Sequence, residues 1–160
     1  MRSDLERYRD WIETTRKPIP EFRYQSYEAL VLDIGRPFVQ TESTLERGTI
    51  KECYSNALEV AMTNLGLYYC EGYAASHIIG IPLQHAWVCN EEGEAIEVTW
   101  PHENSKYFGV ALDIDFVIKR TLKNGYYGLL SNDWLADNIL LRDGIPDDAI
   151  PEQFRKEESR

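Results

Sequence analysis

Positive charge is scarce in this chain: 17 lysines and arginines stand against 27 aspartates and glutamates, a formal net charge of −10 over 160 residues. That balance repels phosphate backbones and anionic headgroups, so neither nucleic acid nor a membrane surface is expected as a partner. Long apolar runs are missing as well. No stretch approaches the roughly 18 residues that a membrane-spanning helix requires. The opening MRSDLERYRDWIETTRK has no apolar signal core and reads as part of the folded protein. Glycine and proline, at 10 and 7, are too few for a collagen-like or low-complexity chain. Cysteine is limited to Cys53, Cys70 and Cys89, an odd number without a disulfide framework, which points to reduced thiols in a cytoplasmic setting. Cys70, Cys89, His77 and His85 offer no CxxC or HxxxH spacing, and the HxE and PCxxC of zinc deaminases are absent, so no metal and no cofactor is expected.

What remains is a chain with 43% hydrophobic residues, enough to build one core. The expected organisation is a single domain over residues 1–150 and a charged, frayed tail over 151–160. An amphipathic helix is expected over the first fifteen residues, with Ser3 and Glu6 as a capping box and Leu5, Tyr8, Trp11 and Ile12 as its apolar stripe. A second helix is expected from Ser26 to Gly35, and loop over 36–50. From Cys53 a third helix carries Tyr54, Ala57, Leu58, Ala61 and Leu65 on one face, closed by Gly66. Strands follow at 67–75, 84–90, 95–100 and 107–112, then a helix at 113–123, a short strand at 125–130 and a helix at 132–142. Short links between the strands require hairpins, since a parallel crossover needs a dozen or more residues. The fold class is therefore α+β, a helix packed on an antiparallel sheet with flanking helices.

Three residues carry the chemistry. Cys53 opens a helix, where unpaired backbone N–H groups and the positive dipole end favour the thiolate and can hold an oxyanion. His85 sits in the strand Gln84-His85-Ala86-Trp87-Val88-Cys89, where an imidazole can serve a thiol as general base. Glu97 is the only acid in Ile96-Glu97-Val98-Thr99-Trp100. Between these strands lies Glu91-Glu92-Gly93, a three-residue hairpin loop with glycine at the left-handed position, which pairs Asn90 with Glu94 and sets His85 opposite Thr99. Glu97 then shares the face of His85 as a diagonal neighbour about 7–8 Å away. A shift of one residue would separate them.

The segments Cys53-Tyr54-Ser55-Asn56-Ala57, Glu71-Gly72-Tyr73, His85-Ala86-Trp87-Val88 and Glu97-Val98-Thr99-Trp100 together resemble the core of the transglutaminase-like and papain-like cysteine enzymes, over roughly residues 47–110. The resemblance implies Cys53 as nucleophile, His85 as base and Glu97 as orienting acid. It also implies an acyl-thioester intermediate and a peptide, protein or other amide as substrate, with a peptidase, isopeptidase or deamidase activity. Two features depart from it. The family usually carries Asp at the third position, and the Gln that papain-like enzymes place before the cysteine is absent from 47–52. Gln40, Gln84 and Asn56 are the replacements for that oxyanion donor, and Gln40 is favoured because Gln84 points to the opposite strand face. Glu71, Tyr73, Trp87 and Tyr107 are expected near the substrate, Glu71 with a solvated strand position as its plainer reading, and His102 at the surface. Acyltransferases of the same fold are the nearest alternative, since arylamine acetyltransferases also open their core with Arg-Gly before the cysteine, as Arg47-Gly48 do here. The other alternative is a binding module that has kept the fold without turnover.

Overall fold

A computed structural model describes residues 1–156. Helix α1 spans Arg2–Thr15. It starts before Ser3, so the expected capping box does not form; Asp4 in the first turn instead meets the Met1 ammonium at 3.0 Å. Of its apolar stripe only Leu5 is buried, and Trp11 is 63% exposed. Helix α2, Tyr27–Ile34, opens on Ser26, whose Oγ accepts the Ala29 N–H at 3.1 Å and so satisfies one of the orphan donors of the first turn. The region expected as loop holds a strand, β1, Arg36–Gln40. Pro37 reads locally as a breaker. Partners on both sides nevertheless supply the ladder, and Phe38 is buried.

Helix α3 runs Cys53–Thr63 and stops short of Leu65 because Asn64 caps it, its Nδ2 donating to Val60 O at 2.9 Å; Leu65 is left fully exposed. Strands β2 (Tyr68–Ala75), β3 (Leu83–Cys89) and β4 (Glu94–Ile96) form an antiparallel meander. The turn before β4 has Gly93 at φ 79°, and the Asn90 N–H donates to Glu94 O at 3.1 Å, the register expected from the sequence. β4 ends at Ile96 rather than Trp100 because the Glu97 carboxylate takes the N–H groups of Thr99 and Trp100 and turns the chain out of the ladder. Strand β5, Lys106–Leu112, returns beside β2.

β1 then lies between β5 and β4, antiparallel to the first and parallel to the second, and closes a five-stranded barrel in the order β1-β4-β3-β2-β5. The α+β class holds. The purely antiparallel sheet does not, because closure removes both edges through one parallel pair. Inside, Trp87 meets the edge of Phe38 at 5.5 Å and Tyr107 at 5.0 Å. So large a filling requires glycine opposite glycine: Gly72 pairs with Gly109, where a Cβ would stand 2.4 Å from Glu71 O and 2.7 Å from the Trp87 ring. α3 packs outside against β3 and β2.

Helix α4, Ile114–Asn124, is capped by the Asp113 carboxylate and ended by Gly125 in the left-handed region. No strand forms at 125–130, because the N–H groups of Leu129 and Leu130, with that of Ser131, go to the Glu71 carboxylate instead of a ladder. The helix expected over 132–142 is broken into a 3₁₀ turn, Asp133–Ala136, and α5, Ile139–Asp143. Asp137 and Asn138 both take positive φ there, and the Asp133 carboxylate receives the N–H groups of Leu140 and Leu141. The expected frayed tail is ordered through its first residues: Glu152–Phe154 form a 3₁₀ turn, and buried Phe154 packs edge-on to Tyr68 at 5.1 Å. Residues 157–160 of that tail lie outside the described residues.

Candidate active site

Cys53 is the first residue of α3, and its position is fixed from two directions. Asn56, one turn on, donates from Nδ2 to Thr49 O at 2.8 Å and to Thr99 Oγ1 at 2.9 Å, while the Gly48 N–H donates to Val98 O at 2.8 Å. The start of the helix is thereby clamped to the segment that follows β4. Lys51, two residues ahead, turns the chain into the helix at φ 72°. Cys53 as a residue is 8% exposed, and the N–H groups of the first turn have no partner within the helix.

His85 lies in β3 opposite Gly72 and is 1% exposed, its ring 4.1 Å from that of Trp100. Its Nε2 lies 3.0 Å from Glu97 Oε2. The expected diagonal proximity is realised, although β4 has already left the ladder. Glu97 is itself held by three other donors: Oε1 accepts the N–H groups of Thr99 (2.7 Å) and Trp100 (2.9 Å), and Oε2 accepts the Tyr107 hydroxyl (2.7 Å). A carboxylate so surrounded can only accept, which places a proton on Nε2 and makes Nδ1 the nitrogen that gains and loses the second one.

The electrostatics follow from these contacts. Burial pushes the His85 pKa down, but the hydrogen bonds it donates toward Cys53 and Glu97 and their charges outweigh it and raise it from 6.5 to about 9. Burial pushes Glu97 up, and His85, Tyr107 and the Trp100 N–H more than reverse that, holding it below the usual carboxylate range. With Nε2 committed to Glu97, Nδ1 is the ring nitrogen left to serve Cys53. His85 and Glu97 form a buried hydrogen-bonded pair beside Cys53, and an imidazole so supported can carry the positive charge that it gains by taking a proton.

The secondary candidates divide. The Gln40 carboxamide holds the loop before β5, accepting the Ser105 N–H at 2.8 Å and donating to His102 O at 3.5 Å, so the favoured oxyanion donor is engaged elsewhere. Asn56 is likewise occupied by Thr49 and Thr99. Glu71 is not a solvated strand residue: it is 1% exposed and accepts the Tyr69 hydroxyl and three backbone N–H groups. Trp87 is wholly buried inside the barrel and fills the core rather than a substrate surface. Tyr73 donates to Glu28 Oε1 at 2.8 Å and, with exposed Gln84, lines a narrow cleft beside Tyr54. His102 is half-buried beside Trp100. All three cysteines are free and buried, and among the described residues no group of three or more His, Cys, Asp or Glu is placed to hold a metal.

Two contributors escaped the sequence reading. Tyr107, expected near the substrate, instead donates to Glu97, and the Trp100 ring lies tilted over the imidazole. Both depend on β5 and the 97–100 turn meeting across the barrel, for which no short-range signal exists. Compared with protein-family models, with curated proteins and with solved structures, the chain matches none.

Proposed function

We propose that the protein is a cysteine-dependent amide hydrolase built on a transglutaminase-like or papain-like core, with Cys53 as nucleophile, His85 as base and Glu97 as orienting acid. The observation that carries this reading is the buried 3.0 Å bond from His85 Nε2 to a carboxylate held by three further donors, which reserves Nδ1 for the helix-start thiol. Nδ1 takes the Cys53 proton, and the thiolate attacks the amide carbonyl carbon. The carbonyl π pair moves onto oxygen, where the free N–H groups at the start of α3 receive it. As the tetrahedral centre collapses, the C–N bond breaks and Nδ1–H gives its proton to the leaving amine. Water, losing a proton to Nδ1, then attacks the thioester; the acid departs and the thiol is restored. No cofactor takes part in this scheme. The three free thiols support a reducing, cytoplasmic compartment.

Two reagents test the reading. p-Nitrophenyl acetate acylates any activated thiolate and releases a coloured phenolate, and iodoacetamide alkylates it directly. Both should react with Cys53 faster than with a free thiol at the same pH, and acylation should vanish in Cys53→Ala and fall by about 10²–10⁴ in His85→Ala. Reaction of Cys53 no faster than a free thiol would favour a binding module, and acylation surviving in Cys53→Ala would end the cysteine mechanism.

A further inference from the structure

One carboxamide joins the two halves of the site. Asn56 is half-buried, and its Nδ2 donates in two directions: to Thr49 O, on the chain that leads into α3, and to Thr99 Oγ1, in the turn after β4. An amide nitrogen has two hydrogens to give, so both are engaged. Thr99 is 2% exposed, and its own N–H donates to Glu97 Oε1 at 2.7 Å. Thr99 alone therefore separates the Asn56 amide from the carboxylate that holds His85 Nε2.

The space around this amide is closed. A Cβ at Gly48 would stand 2.2 Å from Asn56 Oδ1, far inside van der Waals contact. The Gly48 N–H is itself tied to Val98 O at 2.8 Å, so the backbone there is not free to draw back. Gly48 is not among the glycines with positive φ. Packing against Asn56, not backbone conformation, calls for glycine at this position.

Resting on the cysteine-hydrolase reading, we infer that Asn56 is a positioning residue: through Thr49 and Thr99 it holds the first turn of α3, and with it the Cys53 thiol, in register with the His85–Glu97 pair. Losing the clamp leaves acid and base in place, because Glu97 keeps the N–H groups of Thr99 and Trp100 and the Tyr107 hydroxyl. What it releases is the start of the helix. Proton transfer needs thiol and imidazole within hydrogen-bond reach, and a displacement of about 1 Å costs up to about 100-fold in rate. Besides His85, the titratable groups near the thiol are Tyr54 on α3 and Tyr69 on β2, both held far above the usual tyrosine range by burial, with Lys51 and Glu52 exposed just ahead of it in the chain. Those tyrosines stay neutral across the assay range, so the pH response of the thiol reports its approach to His85.

Three variants test this. Asn56→Ala removes the amide, Thr99→Val removes only its hydroxyl acceptor and keeps the N–H to Glu97, and Gly48→Ala deletes no hydrogen-bonding group but pushes the amide aside. Each should slow iodoacetamide alkylation of Cys53 and lower kcat for p-nitrophenyl acetate by about 10–100-fold, with little change in KM. The pH profile of alkylation should move up by about one unit or more, toward that of a free thiol, while the His85 Nε2–H resonance persists. Adding Gly48→Ala or Thr99→Val to Asn56→Ala should cost nothing further, since the group they act on is already gone. Rates and profiles in Asn56→Ala and Gly48→Ala that match the parent, or additive losses in the double variants, would overturn the inference while leaving the cysteine mechanism standing. Loss of the His85 Nε2–H resonance together with activity would also overturn it, by showing that the acid turn collapses instead of the thiol moving. If Cys53 of the parent reacts no faster than a free thiol, the underlying reading fails and the inference falls with it.

Discussion

Glutamine in place of Glu97 alters a single functional group, and the geometry around it dictates what breaks. The N–H groups of Thr99 and Trp100 point at Oε1 and cannot turn away, so the amide oxygen must occupy that place. The new NH₂ then faces Tyr107 and His85 Nε2. The tyrosine hydroxyl can rotate to accept. The imidazole can accommodate a donor only by giving up its Nε2 proton, which moves to Nδ1 and faces the thiol as a second donor. In that tautomer His85 cannot take the Cys53 proton, and acylation by p-nitrophenyl acetate should fall by about 10³–10⁴, the scale on which a misdirected triad histidine costs turnover. The rise of His85 from 6.5 to about 9 corresponds to roughly 3 kcal/mol net, the excess of Cys53 and Glu97 together over the cost of burial, so the variant should lose about 1–3 kcal/mol of stability at neutral pH. Its His85 pKa, followed by NMR through the ring protons, should fall below about 9, because the bond to Glu97 and its charge are gone while burial still pushes it down and only Cys53 still raises it. Acylation within a few-fold of the parent, together with a His85 pKa still near 9, would refute the assignment of Glu97.

Glu71→Gln should destabilise the fold by about 2–5 kcal/mol without touching the nucleophile, since the buried carboxylate takes four donors and an amide must confront at least one backbone N–H with another donor. Denaturant unfolding reads this directly, and a change under 0.5 kcal/mol would show that the 129–131 loop does not depend on Glu71. Stability should also vary with pH in a defined window. His85 has a folded pKa of about 9, above its ordinary 6.5, so its contribution is complete below about 6.5 and disappears as pH rises through 9; Glu97, held below 4.5, contributes above 4.5 and is lost as pH falls below it. Unfolding free energies at pH 5.5, 7.5 and 9.5 should therefore decline steadily, and the decline should shrink in Glu97→Gln. A parent whose profile matches that of the variant would contradict the pairing.

Short-range chemistry made part of this protein readable from its residues alone. Ser26 before an apolar run, Cys53 at the head of a helical stripe, and Glu91-Glu92-Gly93 between two strands each act within four or five residues, so two helix starts and the hairpin register appear as expected. That register sufficed to bring Glu97 to the His85 face. Where the sequence reading failed, a distant partner had overruled a local preference. β1 exists because β4 and β5 both pair with it, against the local sense of Pro37. The backbone at 129–131 is held in a turn by Glu71, some sixty residues earlier, and the helix beyond it is broken where Asp133 draws in the amides of Leu140 and Leu141. Tyr107 orients Glu97 only once the barrel has closed, and Gln40 and Asn56 are withdrawn from the oxyanion role by loops they hold. The sequence by itself determined which residue types could carry the chemistry and the register that aligns two of them. The tertiary structure decided their protonation and support, because a buried carboxylate takes its donors from wherever the closed barrel brings them, at separations over which local propensity carries no information.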